Sequence, residues 1–355
     1  MSPPRGTPPD DAAPRPGRSR RDPLAAVHPS LRRGLGLPLR LLTGRKLTPG
    51  WVRGMARVGR VIQFLLGMAV PSRRVAGKTG QPSVRIWIID RRRPGTDAPT
   101  PAVLHIHGGG YIGGFPAMMF GPLRALSAEL DCLVISVDYR LAPGTRFPGA
   151  LEDNHAALGW LHANAPSLRV DPARIAVMGD SAGGGHAAAL AIAARDRGEF
   201  PIAMQVLIYP MLDDRTGSVR APSSPDMGAL MWTAPSNVFG WTSLLGVPAG
   251  SASPPHGAVP ARVDDLSGLP PAWIGVGSLD LFHDEDVAYA ARLKAAGVPV
   301  SLTVTAGAYH GFDMLVPDAP SSMLFTESWK SALRRAFHPR DRTPAACAGH
   351  KGDKQ

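Results

Sequence analysis

The chain has 355 residues, 44% of them apolar, with a formal charge of +11 and only two cysteines, Cys132 and Cys347. That length supports a sizeable core, the cysteine usage argues against a disulfide scaffold and fits a reducing, cytoplasmic setting, and no apolar run approaches the ~18 residues of a membrane span. Residues 1–60 hold thirteen Arg or Lys against three Asp, so the basic balance belongs to an N-terminal arm and not to a nucleic-acid-binding body.

Residues 1–27 read as a disordered basic arm: Met1–Arg21 is rich in Pro and Arg and lacks the apolar stretch of a secretory signal. Residues 28–75 are expected to form the N-terminal part of a cap. Within them Trp51 to Met68 predicts an amphipathic helix, with Trp51, Met55, Val58, Ile62, Leu65 and Leu66 on one side and Arg53, Arg57 and Arg60 nearby. Packing as part of a lid is preferred to lying on a membrane surface, the alternative that a basic amphipathic helix keeps open. From Pro71 onward strands and helices alternate. The strand-like runs are Val84–Ile89, Ala102–Ile106, Leu133–Val137, Ile175–Met178, Met204–Ile208, Ala272–Val276 and Val298–Val304. Helical stretches over Pro148–Ala163, Ala182–Arg195, Asp284–Ala296 and Ser321–Phe337 fall between and after them. The alternation predicts an α/β protein with a mostly parallel sheet covered by helices on both faces. Its core is expected over 76–210 and 263–339, interrupted by a Pro-, Ser- and Gly-rich cap insertion over 211–262. Residues 340–355 read as a disordered tail.

The apolar run Ile175–Met178 ends in Gly179-Asp180-Ser181-Ala182-Gly183-Gly184, and an alanine-rich helix follows at once. A serine on a tight strand-to-helix turn presents its hydroxyl beyond the sheet as a nucleophile. A hydroxyl needs a base oriented by a carboxylate, and on open α/β sheets such groups gather at the strands' carboxyl ends. Asp280 follows the run Ala272–Val276, and His310 follows Val298–Val304, in the order serine, acid, histidine. Asp284, Glu285 and Asp286 fall where a helix begins and read as charges on its positive end. His283 belongs to the same turn and His186 to the helix after Ser181, so neither displaces His310. After Ala102–Ile106 comes His107-Gly108-Gly109-Gly110-Tyr111, whose bare backbone suits an oxyanion hole. The expected donors are the N–H groups of Gly109, Gly110 and Ala182, with Gly108 shaping the turn and His105 and His107 bracing it. Tyr111, Phe115, Trp232 and Phe282, with Phe239 and Trp241, are candidate pocket walls.

Together these segments resemble the hormone-sensitive-lipase-like, bacterial family IV branch of the α/β-hydrolases. The resemblance is carried by His107-Gly-Gly-Gly110, Gly179-Asp-Ser-Ala-Gly-Gly184, Asp280 with Asp284-Glu285, and His310-Gly-Phe312. It extends to Asp138-Tyr-Arg-Leu-Ala-Pro143, Phe147-Pro148 and Leu151-Glu-Asp153, over roughly residues 80 to 335. It implies the α/β-hydrolase fold with a mainly helical cap, and a carboxylesterase acting on short- to medium-chain esters through an acyl-serine. No metal or cofactor is implied. The implied partner is a small-molecule ester, with no nucleic acid; a homodimer and a membrane contact through the arm or helix stay open. Two departures stand out: Leu281-Phe282-His283 replaces the usual Pro-Leu-Arg after the acid, and Gly144 replaces an acidic residue. An amidase or lactonase using the same triad, and a non-catalytic ligand-binding member of the fold, are the alternatives.

Overall fold

The computed structural model describes Asp22 and residues 24–36, 47–78, 80–95 and 98–338. Expectations for the first 21 residues and for 340–355 lie outside these. The centre is an eight-stranded sheet: β1 (Ser72–Val75), β2 (Val84–Ile89), β3 (Thr100–Ile106), β4 (Leu133–Asp138), β5 (Val170–Asp180), β6 (Met204–Ile208), β7 (Ala272–Gly277) and β8 (Val300–Thr305). Their spatial order is β1-β2-β4-β3-β5-β6-β7-β8. The β1–β2 and β2–β4 pairs are antiparallel and all others parallel. Strands covered on both faces can be apolar throughout; β6 and β7 are buried at every residue.

The helices are α1 (Pro49–Gly67), α2 (Phe120–Leu130), α3 (Gly149–Ala163), α4 (Ala182–Arg197), α5 (Ala234–Leu245), α6 (His283–Ala295), α7 (Phe312–Leu315) and α8 (Pro320–Phe337). One apolar layer joins Leu158, Leu161, Leu190 and Tyr289 to the sheet, and a second gathers Leu123, Leu126, Phe325 and Trp329. Each such buried side chain is worth roughly 1.5–3 kcal/mol. A smaller cluster of Tyr111, Trp241, Leu244 and Phe282 ties the insertion to the body.

Three features differ from the sequence expectation. Residues 24–27, expected in the disordered arm, and 28–35, expected in the cap segment, pack on the body, where Val27, Leu31 and Leu35 are buried with Phe325 and Trp329. The His28 N–H donates to the Gly307 carbonyl at 3.0 Å, and the Tyr309 hydroxyl donates to the Leu31 carbonyl at 3.0 Å. Ser72–Val75, expected at the end of the cap segment, is the sheet's edge strand; its Ser-Arg-Arg-Val run carries no apolar alternation to announce it. Helix α1 is turned over. Val52, Gly59, Gln63 and Gly67 face the body, while Val58, Val61, Ile62, Phe64, Leu65, Leu66 and Met68 are exposed. The reason is the closeness that glycine allows: a Cβ on Gly67 would lie 2.3 Å from the Trp87 ring, and one on Gly59 2.9 Å from Phe115. The Gln63 side chain adds a hydrogen bond to the Asp138 carboxylate at 2.7 Å.

Candidate active site

Ser181 sits between β5 and α4 with φ 55° and ψ −122°, a conformation costing on the order of 1–3 kcal/mol that surrounding contacts must hold. Its N–H donates to the Ile208 carbonyl at 2.8 Å, and its carbonyl accepts from Met211 at 3.0 Å. The flanking glycines are sterically required. A Cβ on Gly179 would lie 2.2 Å from the Gly183 carbonyl oxygen, and one on Gly183 would lie 2.0 Å from that of Ile106. Helix α4 is built almost wholly of Gly and Ala over its first turns and is buried there, which lets it lie close against the sheet.

Strands β7 and β8 deliver the partners. His310 Nε2 lies 3.0 Å from Ser181 Oγ, and His310 Nδ1 lies 2.8 Å from Asp280 Oδ2. The other oxygen of Asp280 accepts from the Phe282 N–H at 3.0 Å. Asp280 is wholly buried and His310 is 9% exposed, so the pair sits where water screens charge weakly. The imidazole is held edge-on by Tyr209, at a centroid distance of 4.8 Å, and by Phe282, at 5.2 Å.

The glycine loop lies beside the elbow. Gly109 and Gly110 adopt φ 130° and 61°, and a Cβ on Gly108 would lie 2.3 Å from Asp180 Oδ2. The N–H groups of Gly109, Gly110 and Ala182 donate to no partner among the described residues, as an oxyanion site requires. His107 donates from Nδ1 to the Gly108 carbonyl at 2.8 Å and stacks on Tyr139, whose hydroxyl donates to the His107 carbonyl. His105 Nδ1 lies 3.0 Å from Ser136 Oγ. Burial brings the His107 pKa down to about 4 and that of His186 to about 3, so both rings are neutral at pH 7. The Asp138-Tyr-Arg segment has a structural basis here too: Arg140 pairs with the buried Asp153 at 2.8 Å.

The aromatic candidates divide. Tyr111 is 2% exposed, donates its hydroxyl to the Met211 carbonyl at 2.8 Å, and packs edge-on against His186 and Trp241. Tyr111, Trp241 and Phe282 are buried, with packing and hydrogen bonding within the protein taking up most of their surfaces. Phe115, Trp232 and Phe239 keep partial exposure. Trp232 leans on the glycine loop: a Cβ on Gly110 would lie 2.1 Å from its ring. Its indole N–H donates to Asn237 Oδ1 at 3.1 Å, and Asn237 in turn donates to the Thr216 carbonyl at 2.8 Å. Asp284 accepts from the Ser223 N–H and lies 3.0 Å from His283. Glu285 accepts from the Leu212 N–H at 2.7 Å. Neither acid approaches His310. The sequence reading missed Tyr209 and Asp313, whose side chains meet at 2.9 Å behind the imidazole. Tyr209 directly follows β6 and Asp313 falls three residues after His310, so their positions relative to the strand end and the histidine were the available signal.

A family model of the alpha/beta hydrolase fold matches residues 103–314. The chain belongs to the alpha/beta hydrolase fold family. This α/β-hydrolase is 36% identical to Esterase LipI of Mycobacterium tuberculosis over 244 residues, 68% of this chain and 74% of that protein. It is 37% identical to Ethyl acetate hydrolase of Pseudomonas putida over 226 residues, covering 62% and 69% of the two chains. Among solved structures, Bacterial Heroin Esterase superposes with a TM-score of 0.74 at 33% identity, covering 88% of this α/β-hydrolase and 99% of that chain. These likenesses place it in the hormone-sensitive-lipase-like branch. Among the described residues no group of three or more His, Cys, Asp or Glu is placed to hold a metal ion.

Proposed function

We propose that this carboxylic ester hydrolase works through Ser181 as nucleophile, His310 as general base and acid, and Asp280 as the orienting carboxylate, on esters of short to medium acyl chains. The observation that carries the reading is the unbroken line from Ser181 Oγ to His310 Nε2 at 3.0 Å and from His310 Nδ1 to Asp280 at 2.8 Å. In the first half-reaction His310 takes the hydroxyl proton as Oγ attacks the ester carbonyl. The Gly109, Gly110 and Ala182 N–H groups receive the oxyanion, and the imidazolium, steadied by Asp280, passes its proton to the departing alkoxide. Water then attacks the acyl-Ser181 with His310 again as base, releasing the acid. The short acyl preference is supported by Trp232 standing over the glycine loop and by a relative named for ethyl acetate.

The test is a p-nitrophenyl ester chain-length series on the wild type and Ser181→Ala, with one matched anilide. Turnover that falls by about 10⁴-fold or more in the variant, at unchanged folding, supports the assignment. Retention of wild-type activity by the variant removes Ser181 from the mechanism, and faster anilide than ester cleavage replaces the esterase reading with an amidase one.

A further inference from the structure

Helix α1 turns six large apolar side chains to solvent, Met68 just past its end adds a seventh, and they are not scattered. Val58, Val61, Leu65 and Met68 recur every three or four residues along its outer side, with relative exposures of 53%, 60%, 60% and 74%. Phe64, at 69%, flanks them, as do Ile62 and Leu66, and Met118, 53% exposed, lies three residues after the Phe115 against which Gly59 packs. A patch of this kind is far more than the scattered apolar exposure of an ordinary surface and marks an interaction site.

Charge says what kind of partner fits. The helix contains Arg53, Arg57 and Arg60 and no acidic residue. The exposed Arg74 follows shortly after it, and the thirteen basic residues of 1–60 stand against only three acids. No helix among the described residues is long and apolar enough to cross a membrane. An exposed apolar face on a helix with three arginines and no acid, too short in hydrophobic content to span, is the pattern of a helix lying in a lipid interface. We infer that the outer face of Pro49–Gly67 docks this protein on an anionic lipid surface, with Val58, Val61, Leu65 and Met68 entering the headgroup boundary and the basic residues meeting lipid phosphates. Anionic lipid complements this charge, whereas a second copy of the same face would bring like charges together. The helix packs on the segment that leads out of the glycine loop, so docking would turn that side of the molecule toward the bilayer. This surface is independent of the ester-hydrolase reading, because vesicle binding reads no turnover.

The experiment is flotation of the full-length protein with vesicles of phosphatidylcholine alone and with a third phosphatidylglycerol, at low and high salt. The wild type is expected to float with the anionic vesicles and to be released by salt. Val61→Asp with Leu65→Asp is expected to lower the bound fraction by at least about tenfold, with thermal unfolding and soluble-ester turnover kept as wild type. Arg57→Glu is a milder variant that tests the charge component alone. Three results overturn the proposal: a wild type that does not float, a double variant that floats as the wild type does, or loss of flotation on removal of residues 1–21 alone. A dimer in sedimentation that the double variant dissociates assigns the face to a second copy instead.

Discussion

The carboxyl of Asp313 stands behind the imidazole of His310, joined to it through the ring of Tyr209. Burial pushes its pKa up to about 6, against the lowering effect of the Tyr209 hydroxyl. The folded protein thus keeps this proton to a higher pH than the unfolded chain does. The stability it lends is complete below about pH 4 and is lost as pH rises through about 6. Two pH units are worth about 3 kcal/mol, reduced to on the order of 1–2 by the side chain's partial access to water. Asp313→Asn keeps an acceptor for Tyr209 but cannot ionise. Its melting temperature is expected to gain a few degrees on the wild type between pH 4 and pH 7, and a constant difference would contradict the linkage. Trp232 offers a second residue-level test. Trp232→Ala removes the indole from over Gly110, and the ratio of kcat/KM for octanoate over acetate p-nitrophenyl esters is expected to rise about tenfold, or ~1.4 kcal/mol. The meeting of Ser181, His310 and Asp280 was legible from sequence because each follows a readable strand. The partner of the Tyr111 hydroxyl was not, because an aromatic next to a glycine loop looks the same in sequence whatever its hydroxyl meets; here it donates to the Met211 carbonyl.

Helix α1 shows where periodicity stops being informative. The sequence displays an apolar stripe, and burying such a stripe is the usual solution for a surface helix. Here the inward stripe is Val52, Gly59, Gln63 and Gly67, whose value lies in close approach and one hydrogen bond, which hydropathy does not register. By contrast β2, β3 and β6 were readable nearly to the residue, since strands buried on both faces are predominantly apolar even where Arg85, His105 or Gln205 interrupts them. The insertion hid α5 because Pro235, Ser236 and Asn237 open it with poor helix formers. The packing at Trp87 supplies an element-level prediction. Gly67→Leu forces a Cβ toward ring atoms 2.3 Å away and is expected to cost about 1–3 kcal/mol in urea unfolding despite better helix propensity. An unchanged midpoint would mean that α1 does not rest on that ring.

At the scale of the whole molecule, Leu24 packs against the buried cluster of the body, and deletions that stop short of it or run past it differ kinetically. Removing residues 1–21 takes away charge but no group of the site, so kcat/KM on a soluble ester is expected to stay within about twofold. Extending the deletion through Leu35 strips Val27, Leu31 and Leu35 from the core and the carbonyl that holds Tyr309, the residue before His310. That truncation is expected to lower both the melting temperature and kcat, and equal behaviour of the two truncations would deny the seam any role. The same seam bears on biosynthesis. The apolar side chains of residues 27–35 are made nearly 300 residues before the surfaces that cover them, around Phe312, Phe325 and Trp329. A nascent fragment that stops before α8 cannot close this cluster, so these apolar side chains must stay unaggregated until α8 emerges and covers them.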